Sequence, residues 1–235
     1  MDARMQRDAQ DVQSPREACD ERWGDLRTCA VARVRETGVV KLGDVRAIQY
    51  GDVLVEGERW PNSIHVIEHP DGRVLVDTGM IDSTPELDGE WGVRFDADKI
   101  PRDVQCVVNT HLHFDHCGGN RLFAGTPIHV QRAEREAARA DGYTIPEWVE
   151  FEGAMYVEHD GEAQILPGIR LLPTPGHAPG HQSVLVDTED GLVVLAGDVG
   201  YTWKQFDASE SGQLLTSLRP RRIWLAHRAE PRDLA

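Results

Sequence analysis

Three imidazoles and one carboxylate packed into six residues constrain this chain more than any other feature: His111-Leu112-His113-Phe114-Asp115-His116. So many donor atoms in so short a stretch point to a metal site, because a divalent ion satisfies several imidazole and carboxylate groups at once. The run follows Val104-Gln105-Cys106-Val107-Val108, which reads as a short buried strand ending at Asn109. His111 and His113 alternate in an extended loop and can point the same way, while Asp115 and His116 sit where the chain turns toward Gly118-Gly119. One stretch can thus serve two adjacent ions. Each ion needs about four ligands, so two centres also call on His177, Asp198 and His227, each at a strand end with Gly or Ala beside it. A bridging carboxylate and a bridging hydroxide would complete two ions roughly 3.5 to 4 Å apart.

The rest of the chain supports a single domain over residues 41–235, preceded by a polar, charge-mixed extension over residues 1–40. A net charge of −15 opposes nucleic acid as a partner. No apolar run approaches the roughly 20 residues of a membrane span, and a charged opening segment argues for a cytoplasmic protein. Cys19, Cys29, Cys106 and Cys117 match no metal-binding spacing and read as reduced thiols. From Val45 short β-rich runs alternate with the turn formers Gly51-Asp52, Trp60-Pro61-Asn62 and Pro70-Asp71-Gly72, predicting a β meander that closes at Asp77-Thr78-Gly79. A helix is expected over Ala133 to Ala140, a hairpin about Glu189-Asp190-Gly191, helical structure near Leu214 to Leu218, and a last strand ending at His227. Ligand-type residues therefore recur at the C-terminal ends of strands, where α/β folds place their sites.

Asp77, the HxHxDH run, His177, Asp198 and His227, in that order, resemble the metallo-β-lactamase superfamily. The resemblance implies an α/β fold, the four-layer αββα sandwich. It implies two divalent metal ions, zinc by default, with iron, manganese and cobalt suiting the same donors. One ion would be held by His111, His113 and His177, the other by Asp115, His116 and His227, with Asp198 bridging. Within the superfamily, the stretches from His111 to Asn120, from Thr174 to Ser183 and from Gly197 to Thr202 resemble the N-acyl homoserine lactone lactonases. Tyr201 stands where those enzymes carry a tyrosine that touches the substrate carbonyl. Class B β-lactamases lack the histidine that follows the motif aspartate, flavodiiron oxidoreductases carry glutamate in place of His113, and glyoxalase II enzymes usually lack the tyrosine.

The expected reaction opens the lactone ring of an N-acyl homoserine lactone. A water shared by two cations attacks as hydroxide, Tyr201 hydrogen-bonds the developing oxyanion, and Asp115 carries the proton to the leaving alkoxide. A glyoxalase II-like thioesterase, another lactone or ester hydrolase, and a non-catalytic metal-binding protein are the alternatives. The partner is a small-molecule lactone or ester, and the chain a monomer or homodimer. Phe114 lines the substrate pocket or packs its own loop; Trp91 and Phe95 are weaker pocket candidates. Asp77 and His181 orient ligands, Cys117 is a small buried side chain, and His65, His69, His129 and His159 are surface or core residues. Three departures from the lactonases stand out: a short segment from Met80 to Val104 without an obvious helix, an abbreviated stretch from Thr202 to Leu214, and a solvated Arg228 after the last histidine.

Overall fold

The computed structural model describes residues 40–234, so of the extension expected over residues 1–40 only Val40 is described. Strands β1 (Val45–Val55), β2 (Glu58–Ile67) and β3 (Val74–Val76) form the opening meander, followed by helix α1 (Pro85–Trp91) and the two-residue strand β4 (Arg94–Phe95). Then come β5 (Cys106–Val108), the single turn α2 (Phe114–Cys117), β6 (Pro127–Gln131), α3 (Arg132–Ala137), α4 (Pro146–Val149) and β7 (Met155–His159). The second half runs β8 (Ala163–Leu166), β9 (Ile169–Pro173), β10 (Gln182–Thr188), β11 (Gly191–Leu195), α5 (Trp203–Ala208), α6 (Glu210–Ser217), β12 (Arg222–Trp224) and β13 (Arg232–Asp233). A seven-stranded sheet in the order β4-β1-β2-β3-β5-β6-β7 faces a six-stranded one in the order β13-β12-β11-β10-β9-β8.

Alternation along the strands builds four layers. Val74 and Val76 point into the core between the sheets, where they meet Val184, Val186, Val193 and Leu195. Leu75 points the other way and packs with Val107, Ile128, Phe123 and Trp148 on the outer face of the first sheet. Leu185, Val194 and Ile223 likewise pack under Phe206 and Leu215 of α5 and α6. Both faces of each sheet are covered, which is why the central strands read as continuous apolar runs. Val40 is buried in the inner core and bridges Thr188. Among the described residues no helix is long and apolar enough to cross a membrane.

Two expected turns lie inside strands. Gly51-Asp52 belongs to β1, where the register against β2 breaks between Gln49 and Gly51, and Trp60-Pro61-Asn62 belongs to β2, with Pro61 opposite Asp52. Pro61 is tolerated there because β3 pairs only with His65 to Ile67, so the missing amide costs no ladder bond. The chain reverses instead at Glu56-Gly57, both with positive φ (50° and 86°), the geometry of a tight two-residue hairpin. Likewise α1 falls where no helix was expected. Its signals are local ones, Thr84 capping Leu87 N, Pro85 in the first turn and a left-handed Gly92 at the end. The expected helix over Ala133 to Ala140 is shorter, and β7, β13 and α4 have no counterpart in the predicted elements.

Candidate metal centre

Seven donor-bearing side chains converge at the C-terminal ends of strands drawn from both sheets. His111, His113, Asp115 and His116 follow β5; His177 follows β9, Asp198 follows β11 and His227 follows β12. His177 Nε2 lies 2.9 Å from His113 Nδ1 and 3.2 Å from His111 Nε2. Asp198 Oδ2 stands between two clusters, 3.2 Å from His227 Nε2, 3.4 Å from His116 Nε2, 3.6 Å from His177 Nε2 and 4.0 Å from His111 Nε2. Asp115 Oδ2 closes the other side at 3.6 Å from His227 Nε2 and 3.7 Å from His116 Nε2. Among the described residues three overlapping groups are close enough to hold an ion: His111 with His113 and His177, His111 with His116 and Asp198, and Asp115 with His116 and His227.

Each ring is aimed by a partner on its far side. Asp77, held at φ 61°, accepts from the Thr110 amide at 2.7 Å, and its Oδ2 sits 2.8 Å from His116 Nδ1. His116 therefore carries its proton on Nδ1 and presents Nε2 to the centre. His227 Nδ1 donates to the Pro61 carbonyl at 3.1 Å, so the proline embedded in β2 serves the site. His177 Nδ1 faces the Tyr201 hydroxyl at 3.2 Å. His181 accepts from the Asp198 amide at 3.0 Å through Nε2, while its Nδ1 pairs with Thr174 Oγ1. Asp77 and His181 thus stand behind donor residues rather than among them.

The electrostatics divide the cluster. Burial holds His113 down at about 4, and burial also lowers His111 and His177, so these rings are neutral and ready to donate a lone pair. Burial opposes the charged form of His116 and His227 too, but Asp198 and Asp115 outweigh it and raise both. Asp198 is held well below the carboxylate range: burial opposes this, and His227 and His116 overcome it. His116 Nε2 and Asp198 Oδ1 are buried without a hydrogen-bond partner among the described residues. Imidazole nitrogens and carboxylate oxygens are the donors of divalent transition metals, and two such orphaned atoms inside one cluster fit that use.

A cavity of about 600 Å³ opens beside the cluster, lined by Val53, Val55, Trp60, Leu87, Trp91 and Phe114 together with Tyr201 and the donor residues His113, Asp115, His177, Asp198 and His227. Trp91 packs on Phe114 at 5.9 Å between ring centroids, so Phe114 both lines the cavity and packs locally. Phe95 instead packs against the outer core of the first sheet. Arg228 is not simply solvated: its Nε donates to the Tyr201 carbonyl at 2.8 Å and its guanidinium lies 5.8 Å from the Trp60 ring. Trp60 itself sits 5.7 Å from Tyr201. Nothing in the sequence pattern singled out Trp60, because it lay in a presumed turn. Cys117 is a buried core residue that donates to Leu112 O at 3.3 Å, its thiol pushed up to about 12 by burial.

Residues 57–229 match the family model of the metallo-β-lactamase superfamily. The chain belongs to this superfamily. Membership implies divalent metal binding and accounts for the two facing sheets. An N-acyl homoserine lactonase from Bacillus sp. is 38% identical over 164 residues, covering 61% of this chain and 65% of that relative, just under two thirds of its length. Among metallo-β-lactamase structures, an N-acyl homoserine lactone hydrolase with the product N-hexanoyl-L-homoserine at its catalytic metal centre superposes with a TM-score of 0.70 at 28% identity, covering 80% of this chain and 94% of that one. An AiiA mutant from B. thuringiensis with N-decanoyl-L-homoserine at its active site gives the same TM-score, 0.70, at 26% identity over 80% of this chain and 94% of the other.

Proposed function

We propose that this protein is a dinuclear metal-dependent lactonase that opens the ring of N-acyl homoserine lactones. The observation that carries the reading is that the donor residues and Tyr201 line the same cavity as Val53, Val55, Trp60, Leu87, Trp91 and Phe114, a place for a carbonyl next to a place for an acyl chain. The likeness to N-acyl homoserine lactonases in sequence and to product-bound lactonase structures supports the same substrate class. His111, His113 and His177 would hold one ion and Asp115, His116 and His227 the other, with Asp198 shared. Zinc is the first choice, and iron, manganese or cobalt would suit these donors. Bound divalent cations supply Lewis acidity to a water and to the ester carbonyl.

The protein's own groups do the rest. A ligand His177 bonded through Nε2 keeps its proton on Nδ1 and donates to the Tyr201 oxygen, which leaves the Tyr201 O–H free for the carbonyl oxygen of the substrate. Burial, then Asp198 and Asp115, push the Tyr201 hydroxyl well above its ordinary value, so it works as a donor and not as a base. Asp115 faces the cavity and would pass a proton to the leaving alkoxide. Arg228 holds the tyrosine at its carbonyl, and Trp60 packs against its ring.

Titrating acid release at constant pH on a panel of N-acyl homoserine lactones, simple lactones and thioesters tests the reading. Ring opening of the acyl homoserine lactones is expected to dominate; faster turnover of thioesters would overturn it. Tyr201→Phe is expected to lower kcat/KM about 10- to 100-fold while metal content stays unchanged. Trp91→Ala removes an aromatic wall of the cavity and is expected to raise KM for a decanoyl substrate roughly tenfold, with little effect on a butanoyl one.

A further inference from the structure

Glu134 is fully buried in α3, and its carboxylate is the meeting point of three separate segments of the site. Oε1 accepts from the Leu112 amide at 2.8 Å and also from the Tyr143 hydroxyl, while Oε2 accepts from the Gly180 amide at 3.0 Å. Leu112 separates His111 from His113, and Gly180 lies in the loop that runs from His177 to His181. The Tyr143 ring packs on His113 with 4.7 Å between centroids. A buried carboxylate is costly unless its oxygens are satisfied, and here both backbone donors come from the loops that carry three of the donor histidines, with the Tyr143 hydroxyl as the third donor. The neighbouring guanidinium of Arg135 is engaged by Glu150 instead.

The fit between helix and loop is close. A Cβ at Gly180 would stand 2.1 Å from Glu134 N and 2.5 Å from its Cα, so only glycine lets the His177 loop lie on the start of α3. The remaining donors are held by other means: Asp77 orients His116, and the Pro61 carbonyl orients His227. The supports of the two clusters meet at Thr110, whose Oγ1 lies 2.8 Å from Asp77 Oδ2 and 3.2 Å from His111 Nδ1, but the backbone contacts of Glu134 fall only on the two loops that carry His111, His113 and His177.

We infer that Glu134 is a positioning residue for the His111, His113 and His177 group alone, its carboxylate clamping the two ligand loops and the tyrosine that backs His113. The inference rests on the dinuclear reading above. In Glu134→Gln the side chain keeps one acceptor oxygen but turns an N–H pair toward a backbone N–H, so one of the two loop contacts becomes a donor facing a donor. Tyr143→Phe is gentler, because both backbone contacts survive.

The test is a cobalt(II) titration of the metal-free full chain, followed by d–d absorption, with circular dichroism as the control for folding. Wild type is expected to take up two ions. Glu134→Gln is expected to weaken one of them about 10- to 100-fold and leave the other at wild-type affinity, the size usual when a group orienting a ligand is removed. Tyr143→Phe should weaken the same ion severalfold. Placed in a His227→Ala background, Glu134→Gln should still weaken the remaining ion; placed in a His177→Ala background, it should change nothing. Wild-type affinity at both positions in Glu134→Gln, or an equal loss at both, overturns the inference and spares the dinuclear reading. If Glu134→Gln does not fold, an unchanged titration in Tyr143→Phe overturns it. Wild type that takes up no cobalt overturns the dinuclear reading and the inference with it.

Discussion

Asp198→Asn is expected to lower kcat/KM by at least about 10³-fold, roughly 4 kcal/mol of lost transition-state stabilisation, and to release metal on desalting. Asn keeps the shape of the side chain, so the effect isolates its charge. Among the described residues that charge is the one negative group within 4.0 Å of four donor histidines, where it holds His116 and His227 in place, and burial leaves it no solvent to screen it. Loss of Tyr201 removes one hydrogen bond to the carbonyl, whereas loss of the Asp198 charge loosens both clusters at once, so the aspartate variant should be the worse by tenfold or more. Asp115→Asn and His116→Ala should fall on the severe side as well. Rates and metal analysis on the same samples decide the matter: wild-type turnover in Asp198→Asn at full metal occupancy would sink the proposed mechanism.

What the sequence conveyed about this site depended on where each residue lay. His111 to His116 are contiguous, and His177, Asp198 and His227 each follow the end of a strand, so their gathering at one end of the sandwich follows once the strands are aligned. Their partners were partly legible as well, since a lone acid such as Asp77 after a strand has few roles other than orienting a ligand. The meander was less so. Gly51-Asp52 and Trp60-Pro61-Asn62 have strong local turn preference, yet both sit within a ten-residue ladder whose pairing outweighs it. Trp60 and the Pro61 carbonyl thereby became parts of the site that no local pattern could announce. Glu134 was hidden for the opposite reason: it sits in a segment whose Ala, Arg and Glu content reads as an ordinary helix, and the groups that hold its carboxylate, on Leu112, Tyr143 and Gly180, lie outside that segment. Arg228 read as solvated because its partner, the Tyr201 carbonyl, belongs to a loop 27 residues away.

Acid is expected to destabilise the metal-free fold through His65 in particular. This ring is buried in β2, meets the edge of Trp224 at 5.6 Å, and leaves Nε2 without a partner among the described residues. Burial, with a smaller push from His116, lowers it to about 3. The sign follows from linkage. In the unfolded chain His65 takes up a proton near pH 6.5, while the folded protein binds it only near 3, so between these values the unfolded state holds more protons and stability falls as pH falls. The neutral ring's contribution is full above about pH 6.5 and shrinks by roughly 1.4 kcal/mol per pH unit below it, about 3 kcal/mol by pH 4. The other lowered histidines, His111, His113, His129, His159, His177 and His181, slope the same way, so the contribution of His65 is a difference between two curves. His65→Leu supplies that difference, being similar in size and unable to titrate. Urea unfolding of both proteins with metal chelated should give stabilities within about 1 kcal/mol at pH 7. At pH 4 the leucine variant should be the more stable by about 3 kcal/mol. Parallel curves across that range would show that His65 is protonated in the fold without cost. Because β2 also carries Trp60 and the Pro61 carbonyl that orients His227, relieving this strand of its titrating ring should extend metal retention toward acid in the same variant.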